Sequence, residues 1–143
     1  MALEFLSPLH KASRQITVYL ETHTRSLGVS PAEGHVLTYL NGYAPAPVGE
    51  LVRVFGLKQS TLTSLLDRLE AAGLLRREVN GSDRRSLLVH ITDAGRARSA
   101  QLNEMLQALE ADIRAHVTAD EVAGFHAVAH AIEEITNVRL RER

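Results

Sequence analysis

The sequence predicts a mainly α-helical protein with one small β-hairpin, in the order α-α-α-α-β-β-α-α. Three observations predict this fold. Apolar residues recur at three- and four-residue steps along most of the chain, which is typical of amphipathic helices. Two short helical segments are separated by a tight turn that contains Gly56, which indicates a helix-turn-helix. Two strand-like runs then flank Asn80-Gly81, a dipeptide that is typical of hairpin turns.

The first two helices are predicted at residues 6–27 and 31–40. Gly28 ends the first helix, because glycine is common just past a helix C-terminus. The segment Ser30-Pro31-Ala32-Glu33 predicts a capping box, in which the serine hydroxyl caps backbone amides and the glutamate side chain reaches back. Residues 41–47 contain a glycine and two prolines and are predicted to form a loop.

The helix-turn-helix is predicted from two segments of similar spacing. Residues 48–55 carry apolar side chains about one helical turn apart and end at Gly56. The fourth helix begins two or three residues later and ends at Gly73, which is placed as its C-terminal cap. One face of this helix carries Leu62, Leu65, Leu66 and Leu69.

The hairpin and two further helices complete the predicted chain. Strand-like runs at residues 74–79 and 86–91 predict a wing-like hairpin. A long helix is predicted over residues 92–116. Thr118-Ala119-Asp120-Glu121 predicts a second capping box, at the start of a last helix that reaches about residue 138.

The 143 residues are expected to form a single domain. Residues 30–92 would form a winged helix-turn-helix lobe, and residues 1–29 and 93–143 a helical layer beside it. The long amphipathic helices cannot all bury their apolar stripes against so small a lobe. We therefore expect a homodimer, in which a second copy of the chain covers those stripes.

The composition argues against several classes of function. The chain has no cysteine, which excludes disulfides, thiol catalysis and thiolate metal sites. It contains no phosphate-binding loop, nucleophile elbow or set of metal ligands, so the sequence does not predict an enzyme. No apolar run approaches a membrane span, and the apolar stretch at residues 1–6 is too short for a signal peptide, so a cytoplasmic protein is expected.

The net charge of −1 argues against a nucleic-acid partner only when the chain is taken as a whole. Residues 53–90 hold seven basic and four acidic residues, a net charge of +3. The remainder holds nine basic and thirteen acidic residues, a net charge of −4. The charge is therefore asymmetric, and a modest basic lobe would contact phosphates while the acidic helices stay away from them.

The fourth helix and the hairpin carry residue types that suit DNA. Opposite its leucines, the helix has short polar side chains that can reach base edges in a major groove, although a solvated face would look the same. Arginines cluster on the hairpin, where they can enter a minor groove or bind phosphate: Arg76, Arg77, Arg84 and Arg85. Asp83 is interpreted as a brace that orients Arg85 or its neighbours.

Four short motifs lie within residues 62–77, 82–86 and 89–95. They are a leucine-glutamate-x-x-glycine helix end, an arginine strand, an aspartate-x-arginine wing and a threonine-x-x-glycine start of the next helix. In order and spacing they resemble the MarR family of bacterial regulators. Because the capped second helix and the long flanking helices match as well, the resemblance covers nearly the whole chain.

The resemblance implies a homodimeric transcriptional regulator that binds a pseudo-palindromic operator in double-stranded DNA and needs no cofactor. The first, fifth and sixth helices would form the dimer layer, and the fourth helix would enter the major groove. The positions that match DNA-binding residues of the family are Gln59, Ser60, Thr61, Thr63, Ser64, Arg68, Asp83 and Arg85. The basic residues Lys58, Arg77 and Arg84 lie in the same segments and are further candidates for DNA contact. Ser64 stands where the family often has arginine, so its base contacts are expected to differ.

Many regulators of this family bind small aromatic or phenolic anions between the dimer layer and the lobe, and the resemblance implies a repressor that such a ligand releases. His23, His35, Tyr39 and Tyr43 are the candidates for that site, although each residue could instead fill the core.

Two alternatives to a ligand-released repressor stay open. His126 and His130 are four residues apart on the last helix, a spacing that can hold a metal and that solvated histidines also show. A metal-responsive regulator is therefore one alternative. The other is a protein-interaction module that reuses the winged fold, because a fold does not fix a function.

Overall fold

The computed structural model describes residues 3–138, so the two ends of the predicted helical layer, residues 1–2 and 139–143, lie outside the described residues. The described chain contains six α-helices, one 3₁₀ turn and three short strands. In order they are α1 (Leu6–Thr24), the 3₁₀ turn (Arg25–Leu27), α2 (Pro31–Tyr43), β1 (Ala46–Pro47), α3 (Val48–Phe55), α4 (Gln59–Ala71), β2 (Leu75–Val79), β3 (Leu87–Ile91), α5 (Asp93–Arg114) and α6 (Ala119–Thr136). The predicted mainly helical fold with a small hairpin is confirmed.

The predicted loop at residues 41–47 is wrong in two places. Helix α2 continues to Tyr43, whose ring lies 4.6 Å from that of Tyr39 one turn earlier. Residues 46–47 form strand β1, in which Ala46 is fully buried and pairs with Val89 of β3. A two-residue edge strand is too short to show a sequence period, and an edge position tolerates the proline.

The sheet is antiparallel with the strand order β1-β3-β2, and the predicted hairpin of β2 and β3 is confirmed. Its turn is longer than Asn80-Gly81 suggests. The Asn80 amide donates to the Ser86 carbonyl (3.0 Å), so the turn spans residues 80–86. Neither Asn80 nor Gly81 has the positive φ that a two-residue turn of this composition requires. We call β2, β3 and this turn the wing.

The hydrophobic core lies in the lobe. Of the buried apolar side chains, all but Leu20 of α1 and Leu102 of α5 lie between residues 29 and 89. The side chains that are fully buried include Val36, Leu37, Leu40, Leu51 and Leu62. The lobe therefore closes a core of its own from α2, α3, α4 and the sheet.

Helix α5 joins the lobe to the helical layer through the threonine-x-x-glycine motif. The Thr92 hydroxyl accepts a hydrogen bond from the Gly95 amide (3.0 Å) and donates one to the Gly73 carbonyl (2.7 Å). A Cβ atom at Gly95 would lie 2.0 Å from the Leu74 carbonyl oxygen. Only glycine therefore lets the first turn of α5 pack this closely on the segment between α4 and β2.

The terminal helices bury little within one chain. Helix α6 has no buried residue, although it has the predicted capping box of Thr118 and Glu121. In α1 only Leu20 and Thr24 are buried. None of the helices within residues 3–138 has the length and apolarity needed to cross a membrane. The cytoplasmic location stays a prediction.

Candidate nucleic-acid interface

The outer face of α4 carries short polar side chains. The four leucines of the helix are buried against the lobe, while Ser60, Thr61, Thr63 and Ser64 are exposed. Lys58 is the N-cap residue and makes no side-chain hydrogen bond to the first turn. The first amides of α4 therefore lack a side-chain cap, and a helix end of this kind favours an anion.

Arg68, in the last turn of α4, is bound to α2. Its Nε donates to Glu33 Oε1 at 3.1 Å, and the side chains are 60% and 12% exposed, respectively. This contact corrects the predicted capping box. The Glu33 amide does donate to Ser30 Oγ (3.2 Å), but the Glu33 carboxylate pairs with Arg68 instead of reaching back to the cap.

Arg77 of β2 ties the wing to α4. Its Nε donates to Glu70 Oε1 at 2.9 Å, and its Nη2 donates to Asp67 Oδ1 at 2.6 Å. The Arg77 amide also donates to Glu70 Oε2 at 3.1 Å. Burial alone would lower the pKa of the Arg77 guanidinium, but the hydrogen bonds and charges of Asp67 and Glu70 outweigh it and raise that pKa. The guanidinium therefore fixes the angle between wing and helix.

The tip of the wing presents two free cations. Arg84 and Arg85 are exposed, and neither forms an ion pair with any residue that the structure describes. Asp83 Oδ1 accepts a hydrogen bond from the Arg85 backbone amide at 3.0 Å. Asp83 therefore holds the Arg85 backbone and leaves the guanidinium free, and its role as a brace in DNA binding stays a prediction.

A cleft of about 520 Å³ lies between the wing and helices α3 and α4. Its cationic and polar lining residues are Arg53, Gln59, Thr63, Arg77, Arg85 and Ser86. Sequence reasoning assigned no role to Arg53. One basic residue in the last turn of α3 is the signal that the sequence offers, and the helix dipole alone explains a cation there. Arg53 on α3 and the wing arginines Arg77 and Arg85 therefore line one continuous basic surface.

The opposite face of the wing carries a separate network. Glu78 accepts hydrogen bonds from Arg76 Nη1 (3.0 Å) and pairs with His90 Nε2 (2.6 Å). The hydrogen bond from Arg76, followed by that from His90, holds the pKa of the Glu78 carboxyl below its ordinary value. Arg76 is therefore partly neutralised, unlike the two arginines at the tip.

The four candidate ligand residues lie in different surroundings. His35 lines a cavity of about 20 Å³ between α1, α2 and α5, which has room for about one water molecule. Tyr39 is 1% exposed and contacts the rings of Tyr43 and Phe55, with the latter centroid at 5.6 Å. His23 stacks on Tyr19 at 3.8 Å and its Nδ1 lies 2.7 Å from the Tyr19 carbonyl oxygen.

The two candidate metal residues lie on the exposed surface of α6. His130 Nε2 is 3.4 Å from Glu134 Oε1, and the His126 ring lies edge-on to Phe125. Across residues 3–138, no three histidine or carboxylate side chains come together in a way that could hold a metal ion.

Known proteins resemble this chain in both sequence and structure. The MarR family model matches residues 27–86. Multiple antibiotic resistance protein MarR of Escherichia coli is 30% identical over 116 residues, which cover 80% of this chain and 81% of that protein. The crystal structure of reduced MarR from E. coli superposes with a TM-score of 0.80 at 27% identity, over 92% of this chain and 98% of that one. A mutant of E. coli MarR complexed with operator DNA superposes with a TM-score of 0.79 at 28% identity, over 88% and 91% of the two chains.

Proposed function

The chain belongs to the MarR family of transcriptional regulators, and on that premise we propose that two copies of it bind double-stranded DNA through α4 and the wing. One observation carries the proposal: the polar face of α4 and Arg85 of the wing tip line one cleft, and Arg85 and its neighbour Arg84 are exposed and form no ion pair with the described residues. A helix of this shape suits a major groove, and arginines on a narrow turn suit the adjacent minor groove or phosphates. That a similar MarR structure holds operator DNA supports the same use of this lobe.

The predicted DNA-binding residues divide into three roles. Ser60, Thr61, Thr63 and Ser64 would reach base edges or sugar-phosphate oxygens, with Lys58 and Gln59 at the uncapped start of the helix and Arg68 in its last turn. Arg84 and Arg85 would contact the DNA backbone or the minor groove, and Asp83 would hold the Arg85 backbone. Arg77 would keep the wing at a fixed angle to α4, and its Nη1, which has no partner among the described residues, stays available to a phosphate.

The homodimer is proposed from the terminal helices. Phe125 and Ile135 of α6 are 58% and 85% exposed, and Ile16 and Val18 of α1 are also exposed. Apolar side chains repeated along two helices favour a partner surface of the same kind. A second copy of the chain would place two recognition helices on the two half-sites of a pseudo-palindromic operator.

We further propose that the regulator is a repressor that a small aromatic or phenolic ligand releases. His35 supports a site between the helical layer and the lobe. Its cavity is bounded by α1 and α5 of the layer and by α2 of the lobe. At about 20 Å³ the cavity would have to open for such a ligand. Ligand binding would then shift the separation of the two recognition helices.

A salt titration of DNA affinity tests the proposed function. The wild type should bind duplex DNA with an affinity that falls steeply with salt. Because each phosphate contact contributes about 0.9 to the log-log slope, Arg85→Ala should make the slope shallower by about 2 in a dimer and weaken binding broadly. Arg76→Ala is the matched control, since it removes the same charge from the opposite face of the wing.

Equal slopes for the wild type and Arg85→Ala would contradict the role of the wing. Weak binding of random duplex that does not depend on salt would contradict DNA binding itself and favour the protein-interaction alternative.

A further inference from the structure

Glu33 joins the start of α2 to α4, the helix that is proposed to enter the major groove. It has no role in the function proposed above. Its carboxylate is 12% exposed and accepts the Arg68 Nε hydrogen bond at 3.1 Å, across 35 residues of sequence. Its backbone amide is held by Ser30 Oγ. The position in the first turn of α2 also favours a negative charge. Glu33 is therefore a fixed carboxylate and not a freely rotating surface side chain.

The contact occupies only one edge of the Arg68 guanidinium. Glu33 binds Nε, while Nη1 and Nη2 have no partner among residues 3–138, and the Arg68 side chain is 60% exposed. Arg68 lies one turn after Ser64, on the same side of α4 as the exposed serines. The two free nitrogens can therefore meet DNA while Nε stays bound to the protein.

We propose that Glu33 is a positioning residue for sequence selectivity, which acts by holding Arg68 in one orientation; this inference rests on the proposed DNA-binding function. An arginine that is oriented before binding loses less side-chain freedom on the cognate duplex. The Glu33 charge also offsets part of the attraction between Arg68 and any phosphate, which lowers sequence-independent binding. Both effects raise the ratio of cognate to random-duplex affinity.

Selectivity separates this role from a merely structural one. An ion pair with one largely exposed partner contributes little to stability. Removal of Glu33 should therefore leave the thermal midpoint nearly unchanged while it changes the ratio of two DNA affinities. A role confined to stability would lower the midpoint and leave that ratio alone.

A double-mutant cycle with the full-length chain tests the proposal. The cognate probe is the duplex that the wild type selects from a random pool, and the reference probe is a random duplex of the same length. Glu33→Ala should lower the cognate-to-random affinity ratio by about three- to tenfold. Glu33→Gln retains an oxygen that can accept from Nε, so it should lower the ratio by at most about twofold and it keeps the test valid if the alanine variant folds poorly.

A second background and a control variant complete the test. In Arg68→Ala, the further change Glu33→Ala should alter the ratio by less than about twofold, because the residue through which Glu33 acts is gone. Glu104→Ala removes one negative charge from an exposed position on α5 and should leave the ratio at its wild-type value.

The proposal is overturned if Glu33→Ala leaves the ratio unchanged, or if it lowers the ratio equally with and without Arg68. Failure of the proposed function is a distinct result: the wild type would then bind neither probe in a salt-dependent manner, before any variant is compared.

Discussion

The lobe and the terminal helices of this chain differ in how much each completes within one copy. The lobe has a core of mostly leucines and valines, and two of its arginines, Arg68 and Arg77, form ion pairs with carboxylates of other elements. Helix α6 buries no residue, and α1 buries two. The lobe is therefore complete within one chain, whereas the terminal helices leave most of their apolar side chains exposed, and this difference supports the proposed homodimer.

Helix α5 is the element that links these two regions. Its Arg98 donates to the Leu27 carbonyl of the 3₁₀ turn, which holds α5 to the rest of the layer. Its contacts with the lobe are on α2, where Leu102 packs on Gly34 and Arg96 Nη1 donates to Asn41 Oδ1 at 3.2 Å. The lobe therefore cannot move relative to α5 without breaking these contacts.

The largest expected effect is at the joint between the two regions. Gly95→Ala would place a Cβ atom 2.0 Å from the Leu74 carbonyl oxygen, so the first turn of α5 must shift away from the lobe. We expect a loss of about 3 kcal/mol in the free energy of unfolding, measured by urea denaturation at fixed protein concentration.

Gly42→Ala is the control for that substitution, since nothing lies within 4 Å of a Cβ atom there. Its free energy of unfolding should rise by up to about 1 kcal/mol, because alanine favours a helix over glycine by that amount. Similar losses for both variants would show that the close contact at Gly95 is not what joins the regions.

A smaller effect is expected at the incomplete surface of the layer. Phe125→Asp would bury a carboxylate in the proposed dimer interface. It should weaken dimerisation at least about 30-fold, which corresponds to the loss of ~2 kcal/mol that is typical of a central interface residue. Sedimentation at several protein concentrations measures this. Val79→Asp introduces the same charge at a similarly exposed apolar residue of the wing and should leave dimerisation unchanged. Equal weakening of dimerisation by the two variants would contradict the placement of the dimer interface on the terminal helices.

The smallest effect is expected on the face of the wing that carries Arg76, Glu78 and His90. The hydrogen bonds from Arg76 and His90 lower the pKa of folded Glu78, so the ionised carboxylate stabilises the fold above the ordinary pKa of about 4.3. This contribution disappears as the pH falls through the lowered pKa.

Glu78→Gln should therefore lower the thermal midpoint at pH 7, by no more than about 3 °C, with the difference closing below about pH 4. Thermal unfolding at a series of pH values measures the difference. A gap that widens as the pH falls would reverse the sign derived from the Arg76 and His90 contacts.

Local patterns predicted most of the helices and both wing strands, because helical period, glycine caps and capping boxes act within a few residues. The two predicted capping boxes show where this stops. Thr118 and Glu121 form the full reciprocal pair, whereas Glu33 turns to Arg68 instead. The four-residue pattern is nearly the same, but the Ser30–Glu33 segment lies beside α4, where Arg68 offers a cation. The sequence pattern contains no information about that neighbour.

The candidate site was predictable to a similar extent. The exposed face of α4 and the arginines of the wing follow from spacing, but the division of arginines into paired and free ones depends on partners in other elements. Arg77 meets Asp67 and Glu70 of α4, while Arg84 and Arg85 meet none in the described chain. The ligand candidates divide for the same reason: Tyr39 packs on Tyr43 and Phe55, whereas His35 lines a cavity.

Selection of bound sequences from a random duplex pool, combined with a count of chains per bound duplex, tests whether two copies joined through their terminal helices present two lobes to DNA. Such a dimer should enrich an inverted repeat, with half-sites about 10 base pairs apart centre to centre and two chains on each duplex. Enrichment of an unrepeated sequence by a single chain, or no enrichment at all, would contradict this arrangement.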